Sequence, residues 1–155
     1  MATPAILSLQ PERLHDNLAS VAMAKILVVE DDPDIMRIMI HTLRAAGHVV
    51  VPAYGGEDAL RKVKQHRPDL VLTDLAMPKM TGVEVIEQIK KDAETKHIPC
   101  VAVTAHLWEF LAQSAGDAGC EGYLGKPFTN RQLVEFVNKH LAGSETADAA
   151  GGKAR

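Results

Sequence analysis

From residue 25 onward the apolar and polar positions follow two alternating regimes. Short unbroken apolar runs, the first being Lys25–Val29 (KILVV), read as strands covered on both faces. Between them, apolar residues recur three and four apart, as on a helix with one buried stripe. Asp32-Pro33 opens the first helix as an N-cap followed by proline at the first helical position. Ile35, Ile38, Met39, Thr42, Leu43 and Ala46 follow at helical spacing, with Met36 and Met39 read as core, and Gly47 closes the helix. His48–Ala53 is the second strand. Gly55-Gly56 turns the chain into a helix carrying Ala59, Leu60 and Val63, which ends before Pro68. Leu70–Thr73 is the third strand, and Thr81-Gly-Val-Glu84 is a capping box with Met80 placed to staple onto Val85. That helix runs to about Lys91. Cys100–Val103 is the fourth strand, Leu107–Ala118 a weaker helix, and Gly122–Gly125 a short fifth strand. Thr129-Asn-Arg-Gln132 is a second capping box with Phe128 stapling to Leu133, and Val134, Phe136, Val137 and Leu141 mark a last amphipathic helix.

This (βα)5 alternation predicts an α/β fold: a parallel sheet, helices on both faces, right-handed crossovers. The two ends fall outside the pattern. Residues 143–155 (GSETADAAGGKAR) are small and polar and are expected to be disordered. Residues 1–22 read as an extension with one short helix through Leu14, Leu18 and Val21, or as a start-site artefact, since Met23-Ala-Lys is itself a plausible start. The domain proper is then 23–142.

Composition narrows the function classes. A net charge of −3 gives no general attraction to nucleic acid or anionic lipid. No apolar run approaches the ~20 residues that cross a bilayer, and the N-terminus lacks the basic start and apolar stretch of a secretory signal. Cys100 and Cys120 have no metal-like spacing and read as reduced thiols, and the seven histidines show no paired spacing. These features point to a cytoplasmic protein whose partners are neither nucleic acid nor membrane.

Topology locates the chemistry. In a parallel sheet every strand ends along one edge, where such folds bind ligands. Glu30-Asp31-Asp32 follows the first strand, Asp74 the third, Thr104-Ala105 the fourth and Lys126-Pro127 the fifth. Carboxylates gathered this way repel by about 4 kcal/mol per pair at ~4 Å and an effective dielectric near 20. A cation relieves that repulsion, and oxygen ligands without Cys or His suit Mg²⁺ or Mn²⁺ rather than zinc. An acidic crevice that also holds a lysine and a hydroxyl suggests phosphoryl chemistry. Alone, Asp74 would be an ordinary cap and Thr104 an ordinary strand-end threonine; Asp32 reads more readily as the cap of the first helix than as a metal ligand.

The ordered segments ILVVEDD, LVLTDLAMPKMTG, VAVTA and GYLGKPF resemble the receiver domains of bacterial two-component response regulators, across Lys25–Leu141. The resemblance implies a flavodoxin-like three-layer sandwich with sheet order 2-1-3-4-5. It implies that Asp74 is the phosphoacceptor, that Asp31, Asp74 and the Ala76 backbone carbonyl ligate Mg²⁺, and that Glu30 acts through water. It further implies that Lys126 pairs with the phosphoryl group, that Thr104 and Tyr123 are the switch pair, and that the Lys126–Pro127 bond is cis. The implied partners are a histidine kinase or phosphotransfer protein, and a downstream protein that reads the face built from the fourth helix, fifth strand and last helix.

The stretch HLWEFLAQSAGDAG departs from the receiver pattern. It carries no Lys or Arg, and Trp108, Phe110 and Leu111 cannot all face inward on one helix. It is an expected partner or self-association surface, compatible with a homodimer. With no output domain after Leu141, the expectation is a single-domain regulator acting through non-covalent partners. The alternatives are a phosphorelay intermediate or, further off, an aspartate-nucleophile phosphatase, whose usual second acid is replaced here by Ala76.

Overall fold

The computed structural model describes residues 23–106, 109 and 119–153, with backbone alone for 143–153. Residues 1–22, and nearly all of the helix expected over Leu107–Ala118 with Trp108, Phe110 and Leu111, lie outside the described residues.

Five strands form one parallel sheet in the order β2-β1-β3-β4-β5: β1 Lys25–Val29, β2 Val49–Ala53, β3 Leu70–Asp74, β4 Cys100–Thr104 and β5 Tyr123–Gly125. The helices are α1 Pro33–Ala45, α2 Gly56–His66, α3 Gly82–Lys91 and α4 Asn130–Lys153. The unbroken apolar runs follow from burial of both sheet faces: every residue of β3 and β4 is buried. Alternate side chains sort into two cores. Leu27, Val29, Val71, Cys100 and Ala102 pack with Ala59 and Val63 of α2 and Val85, Ile86 and Ile89 of α3. Ile26, Val28, Leu70, Leu72, Val101 and Val103 pack with Met36, Met39 and Leu43 of α1 and Leu133 and Val137 of α4. Among the described residues helices therefore cover both faces, and the sandwich has three layers.

The local signals act as their chemistry dictates. Asp32 caps α1, its side chain accepting from the Asp34 and Ile35 amides, with Pro33 in the first turn. Both capping boxes form, Thr81 with Glu84 and Thr129 with Gln132. Phe128 and Leu133 share one core, while Met80 packs on the core that holds Val85 and lies over Gly56. The edge strand β2 carries Pro52, which has no N–H to offer, and the Pro52 carbonyl is covered by Lys62 Nζ at 2.6 Å. Both features discourage pairing with a foreign strand. Cys100 and Cys120 are free thiols.

β3 and β4 each run one residue past the sequence reading, to Asp74 and Thr104, β5 begins one residue later at Tyr123, and two further boundaries also differ. His48 precedes β2 instead of opening it, because its backbone amide still donates to Leu43 O of α1 at 3.1 Å; its side chain ties the turn down, Nδ1 accepting from the Ala24 amide at 3.2 Å and Nε2 meeting Asn138 Oδ1 at 3.0 Å. α4 runs on to Lys153, through the stretch expected to be disordered. Extending a formed helix is far easier than nucleating one, and no proline interrupts 142–153.

Candidate functional site

The carboxyl ends of β1, β3 and β5 deliver the polar groups. The β1–β2 ladder continues one residue past the strand, Glu30 N donating to Ala53 O at 3.0 Å, before Asp32 turns the chain into α1. Glu30 is thereby drawn under the sheet edge and is only 1% exposed. Asp74, the last residue of β3, is also buried. Lys126 follows β5, placed by its amide donating to Thr104 O at 2.9 Å, and the next bond, Lys126–Pro127, is cis.

These three side chains meet. Lys126 Nζ lies 2.5 Å from Glu30 Oε1 and 3.3 Å from Asp74 Oδ2. The second Glu30 oxygen accepts from the Asp32 amide at 3.2 Å, and Asp74 Oδ1 accepts from the Ala76 amide at 3.3 Å. Two buried carboxylates share one ammonium, so the trio holds excess negative charge. Burial, together with the charge of Asp74, raises the Glu30 carboxyl to about 7 against the opposing pull of Lys126. For Lys126, burial alone would favour loss of the proton. The hydrogen bond to Glu30 and the charges of Asp74 and Glu30 outweigh it, and the ammonium is held above its ordinary value. The lysine is therefore charged throughout the physiological range.

Asp31, the most open of the acids, completes an oxygen-only cluster: one carboxylate oxygen from each of Glu30, Asp31 and Asp74 lies within 4.8 Å of the others. This donor set fits a hard divalent cation such as Mg²⁺. Thr104 ends β4 with its hydroxyl buried and accepting from the His106 amide at 3.0 Å. Tyr123 is half-buried against the core beneath α2 and α3 and bonds the Cys120 thiol; burial, then Cys120, raises its phenol. Glu30, Asp31, Asp74 and Lys126 are thus brought together, Ala76 touches the cluster through its amide, and Thr104 and Tyr123 stand on the adjoining strands β4 and β5.

Gly82 escaped the sequence reading. At the start of α3 its amide donates to Leu75 O at 3.0 Å, and a Cβ there would lie 2.1 Å from the Asp74 carbonyl oxygen. The helix start therefore presses directly on the backbone of the nucleophile candidate. Only the Thr-Gly pair hinted at it, and a glycine inside a capping box has no local pattern that announces a close approach.

Comparison with known proteins bears on this arrangement. The family model for the response regulator receiver domain matches residues 26–138. The polar-differentiation response regulator DivK of Brucella anthropi is 33% identical over 116 residues, spanning 75% of this chain and 94% of that protein. Among solved structures, the Vibrio cholerae chemotaxis protein CheY4 superposes with a TM-score of 0.72 at 33% identity, over 76% of this chain and 98% of that one. A putative response regulator from Chloroflexus aurantiacus gives 0.71 at 32% identity, over 77% and 98%. Among the described residues no helix is long and apolar enough to cross a membrane.

Proposed function

This chain belongs to the response regulator receiver domain family, and from that membership we propose that it is a phosphoacceptor switch whose acceptor is Asp74. A histidine kinase or phosphotransfer protein presents a phosphohistidine. An Asp74 carboxylate oxygen attacks the phosphorus, the P–N bond breaks, and the imidazole leaves with the electron pair, giving an acyl phosphate on Asp74. Asp31, Asp74 and the Ala76 carbonyl would hold Mg²⁺, with Glu30 acting on it through water. The cation, when bound, offsets charge on the phosphoryl oxygens. Lys126, already charged and 3.3 Å from Asp74 Oδ2, is placed to pair with a phosphoryl oxygen. Water later attacks the same phosphorus, the P–O bond to Asp74 breaks, and inorganic phosphate leaves as the carboxylate is restored.

Thr104 gives up the His106 amide to bond the phosphoryl group, and Tyr123 turns inward behind it. A protein partner reads the change at the face formed by β5 and α4, and the output passes through that non-covalent contact.

The observation that carries this reading is one ammonium shared by two buried carboxylates at the ends of three parallel strands, with a third acid alongside. Incubation with acetyl phosphate or phosphoramidate and Mg²⁺, followed by intact-mass measurement, tests it. One phosphoryl group is expected, absent after EDTA and absent in Asp74→Asn. No adduct from either donor or from a histidine-phosphorylated donor, or an adduct that survives Asp74→Asn, overturns it.

A further inference from the structure

The two flanks of α1 are unlike. The helix packs over the sheet face that carries Val50 of β2, and β2 is the outermost strand. On the inner flank α4 lies alongside and shares a groove with α1. The outer flank borders a cavity of about 700 Å³ lined only by residues of α1 and by Tyr54, a volume within the range of small-molecule sites.

The chemistry of that cavity is one-sided. Arg37, His41 and Arg44 line it and are all exposed. At 3.6 residues per turn they fall within about 60° of one another around α1 and spread over about 10 Å along it. No acidic residue lines the cavity, in a chain whose net charge is −3. Arg37 pairs with Asp34 at 3.6 Å, but the two side chains are 79% and 81% exposed, and so open a pair yields readily to a stronger anion. Among the described residues no carboxylate pairs with Arg44. Tyr54, just past the end of β2, is 51% exposed, and Pro33 and Ile40 add apolar surface to the lining.

We propose that this flank of α1 binds a nucleoside di- or triphosphate, with the phosphates on Arg37, His41 and Arg44 and the base against the ring of Tyr54. Guanidinium groups take phosphate oxygens through paired, charge-assisted hydrogen bonds, and the imidazole between them adds a donor. Two arginines about two turns apart suit a ligand with more than one phosphate. A tyrosine ring takes any base by stacking. A free phosphate would leave Tyr54 idle, and a nucleoside would leave the arginines idle; a nucleotide uses both. The cavity shares no residue with the acidic crevice, so the inference holds whether or not Asp74 accepts a phosphoryl group.

Isothermal titration of the full chain with ATP, GTP, adenosine and tripolyphosphate tests the inference. EDTA is included so that no divalent ion bridges phosphates to Glu30, Asp31 and Asp74. The nucleotides are expected to bind at least about fivefold more tightly than tripolyphosphate, and adenosine more weakly than either nucleotide. Arg37→Gln and Arg44→Gln should each weaken ATP by about tenfold. Tyr54→Ser should weaken ATP by about fivefold or more and tripolyphosphate by less than about twofold, with Tyr54→Phe retaining the affinity for ATP. All three positions are exposed, and an unchanged thermal unfolding curve for each variant shows that folding is not the cause. In ¹H–¹⁵N spectra, ATP should shift the amides of α1 and Tyr54. Lack of binding by both nucleotides at about 1 mM would overturn the inference. So would tripolyphosphate binding as tightly as ATP with Tyr54→Ser silent, which is diffuse attraction of anions, or ATP shifts centred on Lys126 instead of α1.

Discussion

Gly82→Ala probes how closely α3 is set against Asp74. The added methyl would lie 2.1 Å from the Asp74 carbonyl oxygen, 2.8 Å from Leu75 Cα and 2.9 Å from the Asp74 carbonyl carbon. Comfortable contact needs roughly 3.5 Å, so the helix start or the Asp74–Leu75 backbone must shift by about 1 Å. Every obstructing atom is backbone, and no rotamer change relieves the clash. A shift strains the Gly82–Leu75 hydrogen bond and the Thr81–Glu84 capping box. Overpacking costs about 1–3 kcal/mol and a damaged cap about 1 kcal/mol, while the better helix propensity of alanine returns at most ~1 kcal/mol. The net expectation is a loss of about 1–3 kcal/mol, or a fall in Tm of roughly 3–15 °C for a domain of this size. Urea and thermal unfolding measure it. Gly55→Ala serves as the control, because nothing lies within 4 Å of its added methyl, and it should change stability by less than about 1 kcal/mol. The displaced Asp74 should also slow adduct formation from acetyl phosphate at temperatures where the variant is folded. Stability within ~0.5 kcal/mol of the unaltered chain, with an unchanged rate, would refute the close approach.

Two further outcomes follow from the buried polar groups. Glu30 has its carboxyl raised from 4.5 to about 7 in the fold, so the native state binds this proton more tightly than the unfolded chain. The stability it contributes is full below pH ~4.5 and is lost as pH rises through about 7; after discounting for solvent screening, that is roughly 2 kcal/mol. Urea titrations in EDTA at pH 5 and 7.5 should therefore show Glu30→Gln gaining on the unaltered chain by that amount at the higher pH; parallel behaviour of the two would contradict the assignment. His48→Ala would strand the Ala24 amide and the Asn138 amide oxygen, for a loss of about 2–3 kcal/mol. A double-mutant cycle with Asn138→Ala should give a coupling near 1 kcal/mol, whereas strict additivity would show that the His48–Asn138 bond carries no weight.

Local interactions made much of the fold legible. The runs ILVV and CVAV are apolar because their strands are buried on both faces, and the caps at Asp32, Thr81 and Thr129 act within three residues of themselves. Those signals suffice to name a parallel α/β sheet, and its geometry alone gathers Glu30, Asp31, Asp74, Thr104 and Lys126 along one edge. The extension of α4 to Lys153 was not legible, because small polar residues suit a helix end and a tail equally well.

The sequence by itself determined the order of strands and helices, the faces they bury and the types of group collected at one end of the sheet. All of these follow from periodicity and from backbone hydrogen bonding over a few residues. Only the tertiary structure decided which groups touch. That Lys126 sits closer to Glu30 than to Asp74, across 96 and 52 residues of chain, depends on side-chain length and on the stagger of three strands. That Gly82 meets the Asp74 carbonyl and that His48 bonds Asn138 depend on how helices seat on the sheet. Contacts between residues far apart in sequence differ from their alternatives by about an ångström, a distance that no pattern of residue types along the chain records.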